Sequence, residues 1–222
     1  MRTIDELAAR RAPGSTDLPR AALLAMLGRF EEAWPLAEAQ ADHPREVAGE
    51  VVWLGNQYLW LIAVIEGDRQ RACGFNAEIV DGAAFGSVVA TFTTLLARDL
   101  YYLGRFDEAE PLLRRAKTVP PRASMRVMGP AVEALLLAER GELELSVALA
   151  RKAVAAAESE TDSPWFTGWA YEDLVTVLVR AGRIDEAREA LERSLSVWER
   201  KGCLPCAARV REQIDSLGRW QV

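Results

Sequence analysis

Apolar positions recur at three- and four-residue steps along most of this chain, which is the period of an amphipathic helix. The clearest example surrounds Gly104. The recurring residues are Phe92, Leu95, Leu96, Leu100 and Leu103 before it, and Ala109, Leu112, Leu113 and Ala116 after it. The pattern predicts two helices that meet at this glycine. No segment alternates apolar and polar residues strongly enough to indicate a strand.

The sequence at this junction is repeated. Residues 103–109 read LGRFDEA, residues 27–33 read LGRFEEA, and residues 181–187 read AGRIDEA. Weaker copies begin at Gly67 and Gly141. The glycines of the five copies are 39, 37, 37 and 41 residues apart. A nearly fixed period in this range is typical of a solenoid of helical repeats.

Each residue type in the repeated segment has a physical reason to be there. Gly104 can adopt the left-handed conformation that ends a helix. Asp107 and Glu108 then fall in the first turn of the next helix, where carboxylates favour the positive end of the helix dipole. Ala109 is small enough to let the two helices cross closely. We therefore expect Ala109 to be buried and its neighbour Glu110 to be exposed.

Extending this pattern along the chain predicts about a dozen helices, separated by prolines and glycines. Helix pairs are expected at about 17–28 with 30–41, 46–66 with 68–81, 85–103 with 106–117, 123–140 with 142–159, and 164–181 with 184–200, with a short helix before them at about 3–10 and a last one at about 205–217. The expected fold is an all-α, right-handed α-solenoid of about five hairpins with a C-terminal capping helix. We predict one domain, 1–222, with repeats at about 17–44, 46–82, 85–119, 123–160 and 164–202 and a cap at 205–218.

Charge and composition narrow the range of partners. The chain has 222 residues, of which half are hydrophobic, and a net charge of −6. This charge argues against a nucleic-acid or anionic-membrane surface, which requires a basic excess. The start of the chain has no apolar run typical of a signal peptide, and the longest apolar run, 59–65, is too short to span a membrane. Three cysteines are too few for a disulfide framework. We expect a cytoplasmic protein.

The repeated segment resembles the turn between the helices of tetratricopeptide repeats. The period exceeds the usual 34 residues, and longer repeats of this kind resemble the C-terminal regions of bacterial nucleotide cyclases, LuxR-type activators and ATPase-linked regulators. The match is best for 181–187, continuing through SVWERKG at 196–202 to the Ala- and Arg-rich segment 207–211. The resemblance covers about 17–217 and implies a sensing or docking module. The chain lacks a Walker phosphate loop and a basic helix-turn-helix segment.

One motif suggests redox chemistry. Cys203-Leu204-Pro205-Cys206 resembles a thioredoxin-type pair, and a helix N-terminus lowers the pKa of a thiol. That interpretation requires a strand–helix–strand unit, whereas the context here is helical. The alternative is that Pro205 opens the last helix and both cysteines fill small apolar positions. We expect a structural role.

Metal and triad chemistry have less support. A zinc site would have to combine Cys203 and Cys206 with Cys73 and His43, which belong to different repeats. His43, the single histidine, precedes Pro44 without a nearby Asp or Ser in a triad pattern. Adjacent acids such as those at 172 and 173 are more often solvated than catalytic. We predict no enzyme activity, no metal and no cofactor.

Aromatic residues and the repeat geometry indicate where a ligand would bind. The first helix of each tetratricopeptide hairpin lines the concave face. If this chain is similar, its groove is lined by Gln57, Leu61, Thr94, Arg98, Tyr101, Trp169, Glu172 and Thr176. The mixed lining suits an amphipathic peptide or a modest apolar ligand with polar groups. Trp165, Trp169 and Tyr171 point in different directions around one helix, so we expect some of them to remain available after packing.

Three functions are open at this point. The first is a non-enzymatic scaffold that binds a peptide or protein segment in the groove as part of a bacterial regulatory system. Such a scaffold could be a monomer or a homodimer. The second is a sensor for a small apolar ligand. The third is an enzyme built on the solenoid. In the groove we single out Arg98, which could hold a carboxylate while Tyr101 packs beside it. Alternatively Arg98 forms an ordinary surface pair with Asp99 or Glu172.

Overall fold

The computed structural model describes residues 17–39, 44–47, 50–82 and 86–219. In these parts of the chain the protein forms eleven helices: α1 (Asp17–Met26), α2 (Phe30–Glu38), α3 (Leu54–Glu66), α4 (Arg69–Gly82), α5 (Ser87–Tyr102), α6 (Phe106–Ala116), α7 (Ala123–Glu139), α8 (Leu143–Glu160), α9 (Pro164–Arg180), α10 (Ile184–Lys201) and α11 (Leu204–Arg219). The all-α class and the helix-hairpin architecture are confirmed. The helix predicted at 3–10 and His43 lie outside the described residues.

The glycine of the repeated turn ends its helix as the sequence predicts. Gly104 has a φ of 74°, and the Arg105 backbone N–H donates to the Leu100 carbonyl at 2.9 Å, which satisfies a carbonyl at the end of α5. The corresponding bonds follow Gly28 and Gly182. Asp107 and Glu108 lie in the first turn of α6.

The second hairpin begins later than expected. The helix predicted from residue 46 starts at Leu54, because the preceding residues form two short strands, β1 (Pro44–Val47) and β2 (Glu50–Trp53). They pair antiparallel, with Pro44 opposite Trp53 and Val47 opposite Glu50. Valine and tryptophan favour strands, and a proline at the first strand position does not remove a needed hydrogen bond. This local preference outweighs the helical period.

Close packing at small residues holds each hairpin together. Ala109 is fully buried in α6, as predicted, and Ala33 and Ala187 are buried at the same place in their own repeats. Glu110, which was predicted to be exposed, is half-buried, because its carboxylate pairs with Arg140 and Arg114. The core continues without interruption from α1 to α11.

The last helix does more than cap the final hairpin. Besides packing on α10, α11 reaches α1 and α3 at the other end of the chain. The Arg209 guanidinium donates to the backbone carbonyls of Val64 and Ile65 at the end of α3. The Pro205 ring lies 3.8 Å from the position that a Cβ at Gly28 would occupy. The two ends of the array are therefore in contact, and α11 covers part of the face formed by the first helices of the hairpins, which we call the inner face.

Candidate functional site

The inner face is occupied by a buried ion pair. Arg98 of α5 and Asp173 of α9 are 2% and 0% exposed, and Arg98 Nε lies 2.9 Å from both carboxylate oxygens. Glu172 Oε2 lies 3.6 Å from Arg98 Nη2. Burial alone lowers the pKa of Arg98, but Asp173, Tyr102 and Glu172 outweigh it, so the pKa is raised above its usual value. The guanidinium is permanently charged.

The predicted environment of Arg98 needs correction. The sequence offered a weak surface ion pair as the alternative to ligand binding. The ion pair of Arg98 is instead buried, and it joins α5 to α9 through Asp173, 75 residues along the chain. Its carboxylate partner is chiefly Asp173, next in sequence to the predicted Glu172. Because its guanidinium is buried against Asp173, Arg98 cannot hold the carboxylate of a ligand.

Tyr102 connects the ion pair to a small opening. Its hydroxyl donates to Asp173 Oδ1 at 2.6 Å and lies 3.2 Å from Thr176 Oγ1. Burial, together with the neighbouring Asp173 carboxylate, raises the pKa of Tyr102 well above its usual value. The hydroxyl therefore stays protonated at neutral pH and acts as a fixed donor.

A second buried carboxylate sits beside the first. Asp99, 1% exposed, accepts from Trp60 Nε1 at 2.9 Å and from Arg69 Nη1 at 3.3 Å. Burial raises the pKa of Asp99, whereas Arg69 and Trp60 oppose that shift. The Arg69 guanidinium also lies over the Tyr102 ring, 4.8 Å from its centroid. The two networks meet at these two side chains.

The eight predicted groove residues do not form one open surface. Arg98, Glu172 and Thr176 come together around Asp173, and Trp169 is buried beside them, 5.5 Å from the Trp60 ring. Tyr101 is buried on another side, where its hydroxyl donates to Glu139 at 2.9 Å. Thr94 is fully buried and donates to its own helix, while Gln57 and Leu61 are half-buried on α3.

What remains open on the inner face is a cavity of about 200 Å³, which we call the inner cleft. It lies between α3, the start of α4, α5, α9 and α11, and its lining is Val64, Gly67, Arg69, Tyr102, Glu172, Val175, Thr176, Arg209, Val210 and Gln213. Of the predicted residues it contains Glu172 and Thr176. The repeat spacing before Gly104 predicted that Tyr101 lines the groove. Tyr102 faces the cleft instead, because it lies one turn after Arg98 on the same side of α5.

The sequence analysis did not identify Arg69, Tyr102 or Arg209. The first two could have been found from the i to i+4 spacing of Arg98 and Tyr102 and from the position of Arg69 just after the turn glycine Gly67. Arg209 could not, since only the return of α11 to α3 brings it to the inner face.

The aromatic residues expected to remain available are mostly packed. Trp169 and Tyr171 are buried, and Trp165 is half-buried between Trp169 and Trp198, with ring centroids 5.8 and 5.5 Å away. The Tyr171 hydroxyl donates to Glu158, and burial, followed by this carboxylate, raises the pKa of Tyr171 to about 12. This cluster stabilises the last two hairpins.

Cys203 and Cys206 are buried free thiols at the start of α11, with their Sγ atoms 2.7 Å apart. The hydrogen bond between them and burial raise the pKa of the Cys206 thiol. Their predicted burial is confirmed, and their structural role stays a prediction. Among the described residues, no group of three or more His, Cys, Asp or Glu side chains is placed to hold a metal ion. No helix in the described ranges is both long and apolar enough to cross a bilayer.

Comparison with known proteins finds a similar repeat. Tetratricopeptide-repeat models match residues 133–200 and residues 89–119. Both segments are similar to tetratricopeptide repeats. The shorter match spans α5 and α6, and the longer one runs from the last two turns of α7 to the end of α10. Tetratricopeptide repeats generally mediate protein–protein interaction and are typically non-catalytic scaffolds.

A solved structure also resembles the chain. It is a Podosopora anserina putative kinesin light chain with nearly identical TPR-like repeats, 19% identical in sequence, with a TM-score of 0.48 over 90% of this chain and 99% of that one. No curated protein sequence matches.

Proposed function

We propose that this protein is a non-enzymatic scaffold that binds a peptide or protein segment on its inner face, with the inner cleft as the point of entry. The observation that carries the proposal is the convergence of Tyr102, Thr176, Arg69 and Gln213 on one cleft from four helices of a tetratricopeptide array. Rigid helices that carry a few fixed polar groups around a concavity are typical of recognition sites.

The lining suggests the chemistry of the segment. Arg69 and Arg209 contribute two cations, and their side chains are held in place by Asp99 and by the carbonyls of α3. Glu172 contributes one carboxylate, which already accepts from Trp198 Nε1 at 2.9 Å. The balance favours a segment with an acidic side chain, while Glu172 and Thr176 receive donors from its backbone or polar groups.

The size of the cleft limits what enters it. About 200 Å³ holds one or two side chains, so the rest of the segment must lie along the neighbouring surface. Leu61 and Gln57 precede Val64 by about one and two turns on the same side of α3, and we propose that they extend the contact. Arg98 and Trp169 support the site from behind rather than touching the segment, and Tyr101 and Thr94 lie away from the cleft.

The role in the cell is proposed from resemblance. Long repeats of this kind occur at the C-terminal end of bacterial cyclases and transcription regulators, which makes a docking role in a bacterial regulatory system the most consistent setting.

Site-specific photo-crosslinking in the source cell tests the proposal. A photo-crosslinking amino acid replaces Gln213, which is exposed at the cleft, and a matched control replaces Glu192, which is exposed on α10 outside it. We expect a protein adduct at position 213 that is absent at position 192. Mass spectrometry of the adduct then identifies the bound segment. Equal adducts at both positions, or no protein adduct at 213, would refute the proposal.

A synthetic copy of the identified segment tests the charge argument. Fluorescence anisotropy should show weaker binding to Gln213→Glu and tighter binding to Gln213→Arg, each by about threefold, because charge complementarity at a rim position changes affinity modestly. The opposite order would mean that the segment is basic.

A further inference from the structure

A second cavity lies apart from the inner cleft and shares no lining residue with it. It has a volume of about 310 Å³, is open on one side, and is bounded by α5, α6, α7 and α8 together with the loop before α7. We call it the apolar slot. Its wall includes Leu113, Met125, Gly129, Pro130, Ala156 and Thr94. This volume is at the lower end of the roughly 300–1,000 Å³ that small-molecule sites occupy, and an apolar wall is usual for such sites.

Gly129 contributes to the space in the slot. This residue is buried inside α7, yet no heavy atom other than its chain neighbours and the adjacent backbone of α7 lies within 4 Å of the position that a Cβ would occupy. A glycine inside a helix costs stability relative to alanine, and the adjacent Pro130 removes a helical hydrogen bond. Two neighbouring residues therefore weaken α7 at the place where they leave an apolar space. Local departures from good helix sequence that create a cavity are typical of functional sites.

The mouth of the slot carries an excess of positive charge. Lys117 Nζ lies 2.6 Å from Glu133, and Arg126 pairs with Glu160. Lys152 is a third cation, exposed at the mouth, and it forms no ion pair within the described part of the chain. Three cations face two carboxylates here, although the whole chain has a net charge of −6. The local excess is complementary to one negative charge.

We propose that the apolar slot binds a small amphiphilic monocarboxylate. Its hydrocarbon part lies against Leu113, Met125 and Gly129, and its carboxylate lies at the mouth, where Lys152 provides the free positive charge. An amphiphilic cation would be repelled by the excess positive charge at the mouth. An uncharged ligand would form no ion pair with Lys152. The site is independent of the proposed protein-binding function.

Isothermal titration calorimetry with octanoate, octanol and octyltrimethylammonium tests the proposal on the intact protein. We expect octanoate to bind at least tenfold more tightly than the other two probes. In Gly129→Leu the new side chain fills the slot, and octanoate binding should fall at least tenfold. Gly74→Leu is the control, because it makes the same change in a helical glycine that is exposed on α4, away from the slot.

Charge reversal at the mouth gives a second measurement. Lys152→Glu should weaken octanoate at least tenfold and leave octanol unchanged. Because Lys152 is exposed, this variant should fold even if Gly129→Leu does not. Undetectable octanoate binding at about 1 mM, equal binding of octanoate and octanol, or octanoate binding that survives both substitutions would overturn the proposal.

Discussion

Gly168 and Gly129 are buried glycines inside the first helices of two neighbouring hairpins, and their surroundings are opposite. A Cβ added at Gly168 would lie 2.7 Å from Trp198 Cη2 and closer still to two other ring atoms, so only glycine lets α9 meet α10 there. A Cβ at Gly129 would meet nothing. The same residue type thus permits close packing in one hairpin and leaves a cavity in the other. The partner on the facing helix decides which.

This difference also separates the two candidate sites. On the α9 side, packing continues from Trp198 through Glu172 to the buried pair of Arg98 and Asp173, so the inner face is nearly closed. On the α7 side, apolar walls surround a space with charges only at its mouth. The packing around α9 stabilises the contact between hairpins, whereas the cavity beside α7 has space for a small molecule.

The largest expected effect is at Arg98. Arg98→Ala leaves Asp173 charged and buried, and removing one partner of a buried ion pair costs about 3–5 kcal/mol of unfolding free energy. Urea unfolding measures this loss. The double variant Arg98→Met with Asp173→Leu should recover most of it, because the fully buried carboxylate is removed with its partner. Glu172, which is partly exposed, keeps Trp198 as a donor, and Tyr102 keeps Thr176 as a partner. A single variant as stable as the wild type would show that the inner face is open to solvent.

The next largest effect is expected at Ala109, where close packing joins α5 and α6, the third hairpin. Ala109→Phe inserts a ring where α6 crosses α5, and overpacking of this kind costs about 1–3 kcal/mol or more. Thermal melting with circular dichroism gives the value. The control is Glu110→Ala, which removes only surface ion pairs and should melt within experimental error of the wild type. Similar losses in both variants would contradict the repeat phase.

The two glycines themselves provide the most direct comparison. Gly168→Ala should lower the unfolding free energy by about 1–3 kcal/mol, because its methyl group collides with Trp198. Gly129→Ala should raise it by about 0.5–1 kcal/mol, because alanine is the better helix residue and the methyl group has space. Urea unfolding of both variants should therefore give opposite signs. Equal signs would show that the slot closes in solution.

The smallest effect concerns the repeated turn between α5 and α6. Arg105 Nε and Nη2 donate to the two oxygens of Glu108 at 2.6 and 2.7 Å, and this hydrogen bonding lowers the pKa of Glu108. An acid with a lowered folded-state pKa stabilises the fold above its unfolded pKa, about 4.3, and loses that contribution as the pH falls through the folded value.

Melting curves of Glu108→Gln and the wild type check this. We expect a small deficit for the variant near neutral pH, and we expect it to disappear in acid and in about 1 M salt. A deficit that is independent of pH would mean that the glutamate acts through packing instead.

The repeated turn was predictable because its causes are local. Gly104, Asp107 and Ala109 each act through backbone conformation, the helix dipole or side-chain size within one hairpin, and the structure places them as expected. The start of α3 was not predictable, since the strand preference of residues 44–53 competes with the helical period over the same residues.

The candidate sites depend on contacts between distant parts of the chain. Spacing selected Arg98 as an inner-face residue, but its exposure depends on Asp173, 75 residues away. Tyr101 and Tyr102 differ by one residue, or about 100° around the helix, which is more than the repeat pattern can resolve. Arg209 reaches α3 only because α11 crosses back to it.

The sequence by itself determined the helices, the turns between them and the small residues at their crossings, because each depends on a few neighbouring residues. The tertiary structure alone decided how much of the inner face stays open and where an apolar space is left. Those outcomes depend on the angle at which successive hairpins stack and on the return of α11. A small change in stacking angle, summed over the repeats, moves the two ends of the array by the width of a helix.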